Sequence, residues 1–254
     1  MTCELCGRPA TRQYTSTGRT IDICDSCSAR RTVQDAYESR LVELHQLASA
    51  GKYAEALGVL DALWAAHRSN DSDGWLERSL LAHRALLLGE QGDLDGAIAA
   101  QLRVIELAQS ATDLASEGLA LASLLERAGK LDDAAFASEQ ALAHATGNAV
   151  PTVIPLLVRY ASIQRARSQA VPEQHRAALG AALAYYGIAD NPAESIETAA
   201  TRADQTLRAA QSRFAALRAE VARLRDQPAQ RADAIARYLG AESVEFFRQR
   251  AREL

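Results

Sequence analysis

Between residues 37 and 145 apolar side chains return every three or four positions, the period of one face of an α-helix, and each run breaks at a glycine. Three stretches carry the break: GKYAEAL at 51–57, GDLDGAI at 92–98 and GKLDDAA at 129–135. In each, Tyr or Leu follows two residues after the glycine, and Ala follows five after it. Ahead of the breaks stand Leu41/Leu44/Leu47, Leu81/Ala85/Leu88 and Gly118/Leu121/Ala122/Leu125. Behind them stand Ala56/Leu60/Leu63, Ala97/Gln101/Val104 and Ala134/Ser138/Ala141. The pattern predicts three αα-hairpins. Glycine ends the first helix, the Tyr or Leu packs under the turn, and Ala lets the two helices approach closely. A single hairpin leaves its apolar face open, so neighbours must stack.

A fourth, degenerate pair follows. VPTVIPLLVRYASIQRAR supplies Ile154, Leu157, Val158 and Ala161, with Pro151 and Pro155 near the helix start. PEQHRAALGAALAYYG supplies a second helix, with Pro172 in its first turn and Gly187 at its end. The pattern then changes to a heptad seam: Ile196, Ala200, Ala203, Leu207, Ala210, Phe214, Leu217, Val221 and Leu224, at alternating intervals of four and three. Asn191 reads as its N-cap, Pro192 as its first helical residue and Glu194 as the third after the cap, and Pro228 marks its end. That is a helix of about 35 residues, ~50 Å long. A seam needs a partner. A second copy of the chain would make a homodimer through 196–224; the last repeat and the segment 229–252, with Ile235, Leu239, Val244 and Phe247, would cover it from within.

The four cysteines all lie in the first 27 residues, as CELC at 3–6 and CDSC at 24–27. Two C-x-x-C turns separated by 17 residues fall in the zinc-ribbon range, and four thiolates complete a tetrahedral shell with no position left for a catalytic water. Tyr14, Thr15, Thr17, Thr20, Ile21 and Ile23 favour strands, and Gly18 supplies the turn of a hairpin between the two knuckles, while Gly7 allows the first knuckle its tight backbone. One structural zinc held by Cys3, Cys6, Cys24 and Cys27 replaces the core that so short a segment lacks. A redox C-x-x-C pair would stand at a helix start after a strand and would need no second copy. The stretch CELCGRPATRQYTSTGRTIDICDSCS resembles the N-terminal treble-clef or ribbon-type finger of bacterial McsA-like proteins, in its C-x-x-C-G start, the Ala-Thr after it and the closing C-x-x-C. The resemblance implies the same four ligands and transfers no activity.

The hairpins resemble the tetratricopeptide repeat (TPR) through Gly51, Tyr53 and Ala56; Gly92, Leu94 and Ala97; and Gly129, Leu131 and Ala134. The family's first-helix aromatic is replaced by Arg40, Leu81 or Gly118, no copy closes with Pro, and the loop HRSNDSDGW at 67–75 lengthens the first interval. The resemblance implies a curved solenoid whose first helices line a peptide-binding groove. Glu38, Leu41, His45, Ala82, Leu86, Glu90, Leu119, Ser123 and Glu126 become groove candidates by that resemblance. The fold class is thus mostly α: a TPR-like α-hairpin solenoid (32–190) behind a small four-cysteine zinc ribbon (1–31), then a long heptad-patterned helix (191–227) and a terminal helical segment (228–254).

Charge bears on the partner. Residues 32–148 carry eight basic groups against 18 acidic, a net of −10, while residues 200–254 carry 11 Arg against seven acids, a net of +4. An acidic repeat region suits a basic or amphipathic protein or peptide and repels nucleic acid. The rival reading is a nucleic-acid-associated regulator using Arg8, Arg12, Arg19, Arg30 and Arg31 of the finger and the arginines of the long helix as phosphate contacts; no aromatic stacking element is evident beside those arginines. His45, His67, His83, His144 and His175 form no recognisable catalytic set, and no phosphate loop, G-x-G-x-x-G or G-x-S-x-G motif is present. The reading is therefore a non-enzymatic adaptor. With no apolar signal region at the start and no long apolar run, the expected compartment is the cytoplasm, where thiols stay reduced and bind metal.

Overall fold

The structure, a computed structural model, describes residues 2–16, 19–71 and 74–254. It is mostly α, with eleven α-helices and one two-stranded antiparallel sheet among the described residues. Thr17, Gly18 and the middle of the 67–75 loop lie outside them, as does the side chain of Arg19. The chain forms two compact units, Met1–Ala108 and Gln109–Leu254.

The first unit opens with strands β1 (Arg12–Ser16) and β2 (Arg19–Ile23), paired so that Tyr14 lies opposite Ile21. Helix α1 (Asp25–Ser49) follows without a break, then α2 (Tyr53–His67), α3 (Trp75–Gln91) and α4 (Leu94–Glu106). The boundary drawn at 31/32 falls inside α1, so the finger and the first hairpin share one helix. The sequence pattern is visible in the core. Ala56, Leu60 and Leu63 of α2 and Ala97, Gln101 and Val104 of α4 are all buried. In α3 the phase differs from the expected one: Leu81 and Leu88 are half-buried, and Leu76, Leu80, Ala85 and Leu87 point inward. The apolar run LLAHRALLL offers two adjacent stripes, and packing against Tyr37, Leu60 and Leu63 selects one. The long first interval has a local cause, because Asp71 lies outside α3 and caps it, its carboxylate accepting from the Leu76 and Glu77 amides at 2.9 and 2.8 Å.

The second unit holds α5 (Ala111–Arg127), α6 (Leu131–His144), α7 (Val153–Ala166), α8 (Arg176–Tyr186), α9 (Ile196–Arg223), α10 (Pro228–Ala241) and α11 (Glu245–Arg252). A 3-10 turn, Gly147–Thr152, carries Pro151 into α7, and Pro155 sits in the first turn of that helix. The α5/α6 pair is held at backbone distance: a Cβ added to Gly118 would lie 2.6 Å from Cβ of Ala141. Gly51, Gly92 and Gly129 have φ of 71, 94 and 73°, the left-handed turn that the repeat pattern requires of them.

The long helix is shorter than the sequence suggests, 28 residues or ~42 Å. Its N-cap is Ser195, whose Oγ accepts from the Thr198 amide at 3.2 Å, and not Asn191. Asn191 instead turns its Oδ1 to the Ala193 amide at 3.2 Å, and Glu194 pairs with Arg202 at 3.1 Å. These two local bonds keep 191–195 out of the helix. The two ends of the heptad seam are covered from within the unit. Ile196, Ala200 and Ala203 are buried where α9 meets α7 and α8, and Leu217 joins Ala234 and Ala251 in a cluster with α10 and α11. That is the intramolecular one of the two seam partners considered above. The α10–α11 connection is fastened by the fully buried Glu242, which receives Arg213 of α9 in a bidentate pair at 2.9 and 3.0 Å and the Val244 amide at 2.9 Å.

Candidate metal centre and binding surfaces

The fold gathers the four cysteines from two directions. Cys3 and Cys6 sit on a turn closed by the Gly7 amide on the Cys3 carbonyl (2.9 Å) and the Cys3 amide on the Arg8 carbonyl (2.7 Å). Cys24 is the residue before α1 and Cys27 lies in its first turn. All four Sγ atoms lie within 4.8 Å of one another, and Cys6 and Cys24 approach to 3.6 Å. No disulfide links them. A tetrahedral S4 shell with metal–sulfur bonds near 2.3 Å has edges of ~3.8 Å, so the four thiols can coordinate one metal ion with small side-chain adjustments. The C-x-x-C of 24–27 does stand at a helix start after a strand, the placement expected of a redox pair. Position alone does not separate the two chemistries here. The convergence of all four sulfurs on one point is the arrangement that a metal site requires.

Electrostatics favour the same reading. Burial pushes the Cys3 thiol up, but the backbone of Cys24, Leu5 and Cys6 and the Cys6 thiol outweigh it and bring it down to about 6. The backbone of Cys27 lowers Cys24 against the effect of its burial. Cys27 goes the other way, pushed up to about 12 by burial and by the crowding of the other three sulfurs. Four thiolates this close repel one another, and a cation among them relieves the repulsion. The finger is seated on α1. Tyr14 donates to Asp35 at 2.6 Å, Arg31 lies over the Tyr14 ring, and Asp25 accepts from Thr11 at 2.9 Å and pairs with Arg12.

The groove candidates divide. On α1, Glu38 and His45 are exposed while Leu41 turns toward the core. Its neighbour Val42, which the sequence pattern did not single out, is 64% exposed. On α3, Ala82 is half-buried, Leu86 is 57% exposed and Glu90 is exposed. On α5, Leu119 and Ser123 are half-buried, Ser123 donating to the Leu119 carbonyl at 2.9 Å. Glu126 is committed within its unit, paired with Arg159 and accepting from Ser162 of α7 at 2.8 Å. The fold also joins two histidines that sequence spacing kept apart. His83 Nδ1 lies 3.0 Å from the Tyr37 hydroxyl, and the His45 and His83 rings are 6.2 Å apart, so the α1 and α3 faces adjoin.

Arginines of the long helix are largely ion-paired. Arg202, Arg208 and Arg213 meet Glu194, Asp204 and Glu242. The sequence shows no aromatic stacking element beside them, yet Tyr186, Phe246 and Phe247 line one cleft with Arg208 and Arg218. These rings come from α8 and α11, far from α9 in sequence, which is why a reading along the chain missed them.

No helix among the described residues is long and apolar enough to cross a membrane. No family model matches the chain, and neither a curated protein nor a solved structure is significantly similar to it.

Proposed function

We propose that this chain is a non-enzymatic interaction module, an adaptor of TPR-like hairpins that binds a basic or amphipathic segment of a partner protein on its first helices, braced by one zinc ion on Cys3, Cys6, Cys24 and Cys27. The observation that carries the reading is the exposed apolar pair Val42 and Leu86 on adjoining first helices of one unit, set among exposed Glu38, His45 and Glu90. Isolated exposed leucines are ordinary; two branched apolar side chains on neighbouring helices, with an acid on each helix beside them, match the anchors and rim of a helix-binding face. The acidic charge of 32–148 supports a basic occupant. Zinc is preferred to other metals because four soft thiolates with no open position suit its tetrahedral, redox-inert shell. Such a site belongs in a thiol-reducing compartment such as the cytoplasm. The nucleic-acid reading draws less support, since three of the rod's arginines are already matched by carboxylates.

The test uses a labelled helical peptide bearing leucines on one face and lysines beside them. Its affinity should fall in Glu38→Gln/Glu90→Gln by roughly fivefold to tenfold at ~50 mM salt, and the difference should shrink at ~500 mM as screening sets in. Equal losses at both salts would remove the electrostatic part of the reading, and no effect of Leu86→Ala would remove the groove.

A further inference from the structure

The heptad seam of α9 is not covered along its whole length. Ala210 and Leu217 are buried, but Leu207 and Phe214 are half-buried and line an open cleft of 560 Å³. From Asp204 to Arg218 one face of α9 forms the floor of this cleft, a strip of ~21 Å. Phe246 and Phe247 of α11 stand on one side, and Pro151 and Pro155 belong to its lining as well. The rings form a connected set, with Phe214–Phe247 centroids at 5.7 Å and Phe246–Phe247 at 5.2 Å.

Its charge is one-sided. Arg208, Arg218 and Arg250 border the cleft, and the single acid in its lining, Asp204, is held by Arg208 at 2.7 Å. Arg218 forms no ion pair among the described residues and is exposed. The floor repeats at 207, 211, 214 and 218, intervals of four, three and four, which is the spacing that receives a second helix side by side. A second copy of α9 would bring its own arginines against these and be repelled. Stacked bases are disfavoured too, since Arg250 already lies over the Phe246 ring, which also meets Tyr186 and Phe247 edge to face.

We infer that this cleft is a docking site for an acidic amphipathic helix of a partner protein, its apolar side chains seated on Leu207, Phe214 and Phe246 and its carboxylates on Arg208, Arg218 and Arg250. The site lies within the second unit and opposes in charge the face proposed above, so either can fail without the other. The probe is a fluorescein-labelled helical peptide of about 18 residues, long enough to span the cleft floor, with leucines at alternating intervals of three and four, glutamates flanking them and alanines outside. Anisotropy on the full chain should show saturable binding that weakens at least tenfold in Arg218→Glu/Arg250→Glu, whose far-ultraviolet melting curve stays that of the parent. The lysine counterpart of the peptide should gain nothing from these two arginines, its binding unchanged or tighter in the double substitution. Absence of saturable binding by the acidic peptide, or binding indifferent to the double substitution, overturns the inference. So does tighter, arginine-dependent binding of a fluorescein-labelled oligothymidylate of similar length, or a dimer in sedimentation that the substitutions dissolve.

Discussion

At the scale of single residues, two positions carry more than their size suggests. Gly118 has no room for a side chain, because the atom it would meet is the Cβ of Ala141, which cannot rotate away. Gly118→Ala should therefore separate α5 from α6 despite alanine's better helix propensity, costing about 1–3 kcal/mol by chemical denaturation. Glu242 is the second. Burial opposes its charge, but Arg213 and the Val244 amide outweigh burial and hold the carboxyl below its ordinary 4.5. A carboxyl depressed in the folded state adds stability above its unfolded value and loses it as pH falls through the folded one. Glu242→Gln should thus lose about 1–3 kcal/mol at pH 7 in urea titrations, with the gap to the parent narrowing toward pH 3. A constant gap would mean that shape rather than charge is what Glu242 supplies.

At the scale of elements, local chemistry decides where helices begin. Ser195 caps α9 through the Thr198 amide, so Ser195→Ala should cost about 1 kcal/mol in thermal melts, and Asn191→Ala, outside the helix, should cost less than half as much. The sequence marks the hairpin breaks well, because a left-handed φ at Gly51, Gly92 and Gly129 is a demand that few residues besides glycine meet. It marks helix starts poorly where several cap-forming residues crowd together, as in NPAES at 191–195. The α3 phase was also illegible: LLAHRALLL is apolar on two stripes, and only contact with Tyr37, Leu60 and Leu63 chooses between them. The convergence of the four cysteines was readable, since two C-x-x-C pairs in so short a segment leave few other arrangements. The cleft was not, because its rings come from α8 and α11 and its floor from α9. Nor was Val42, which stands beside a core leucine and differs from it only in the direction it points.

At the scale of the whole chain, the finger and the first hairpin are one continuous body through α1, while residues 109–254 form a unit with its own core. If the four cysteines hold the proposed zinc, its removal should act on that body first. Treatment with a strong chelator, or Cys24→Ser, should release about one zinc per chain in elemental analysis and raise amide exchange across residues 2–37, leaving the peptides of 109–254 protected as before. Lowering the pH should promote release as well. Coordination needs four thiolates, Cys27 holds its proton up to about 12 when no cation is present, and acid competes for all four sulfurs.

The unbroken run of α1 from Asp25 to Ser49 joins the sulfur cluster to the proposed binding face. Its first turn belongs to the sulfur cage, and four turns later the same rod presents Val42 and His45 to whatever arrives. If the proposed guest and the proposed ion are coupled through this rod, each tightens the other's hold by the same factor. Loss of the ion would then loosen the guest from some fifteen to twenty residues away along the helix.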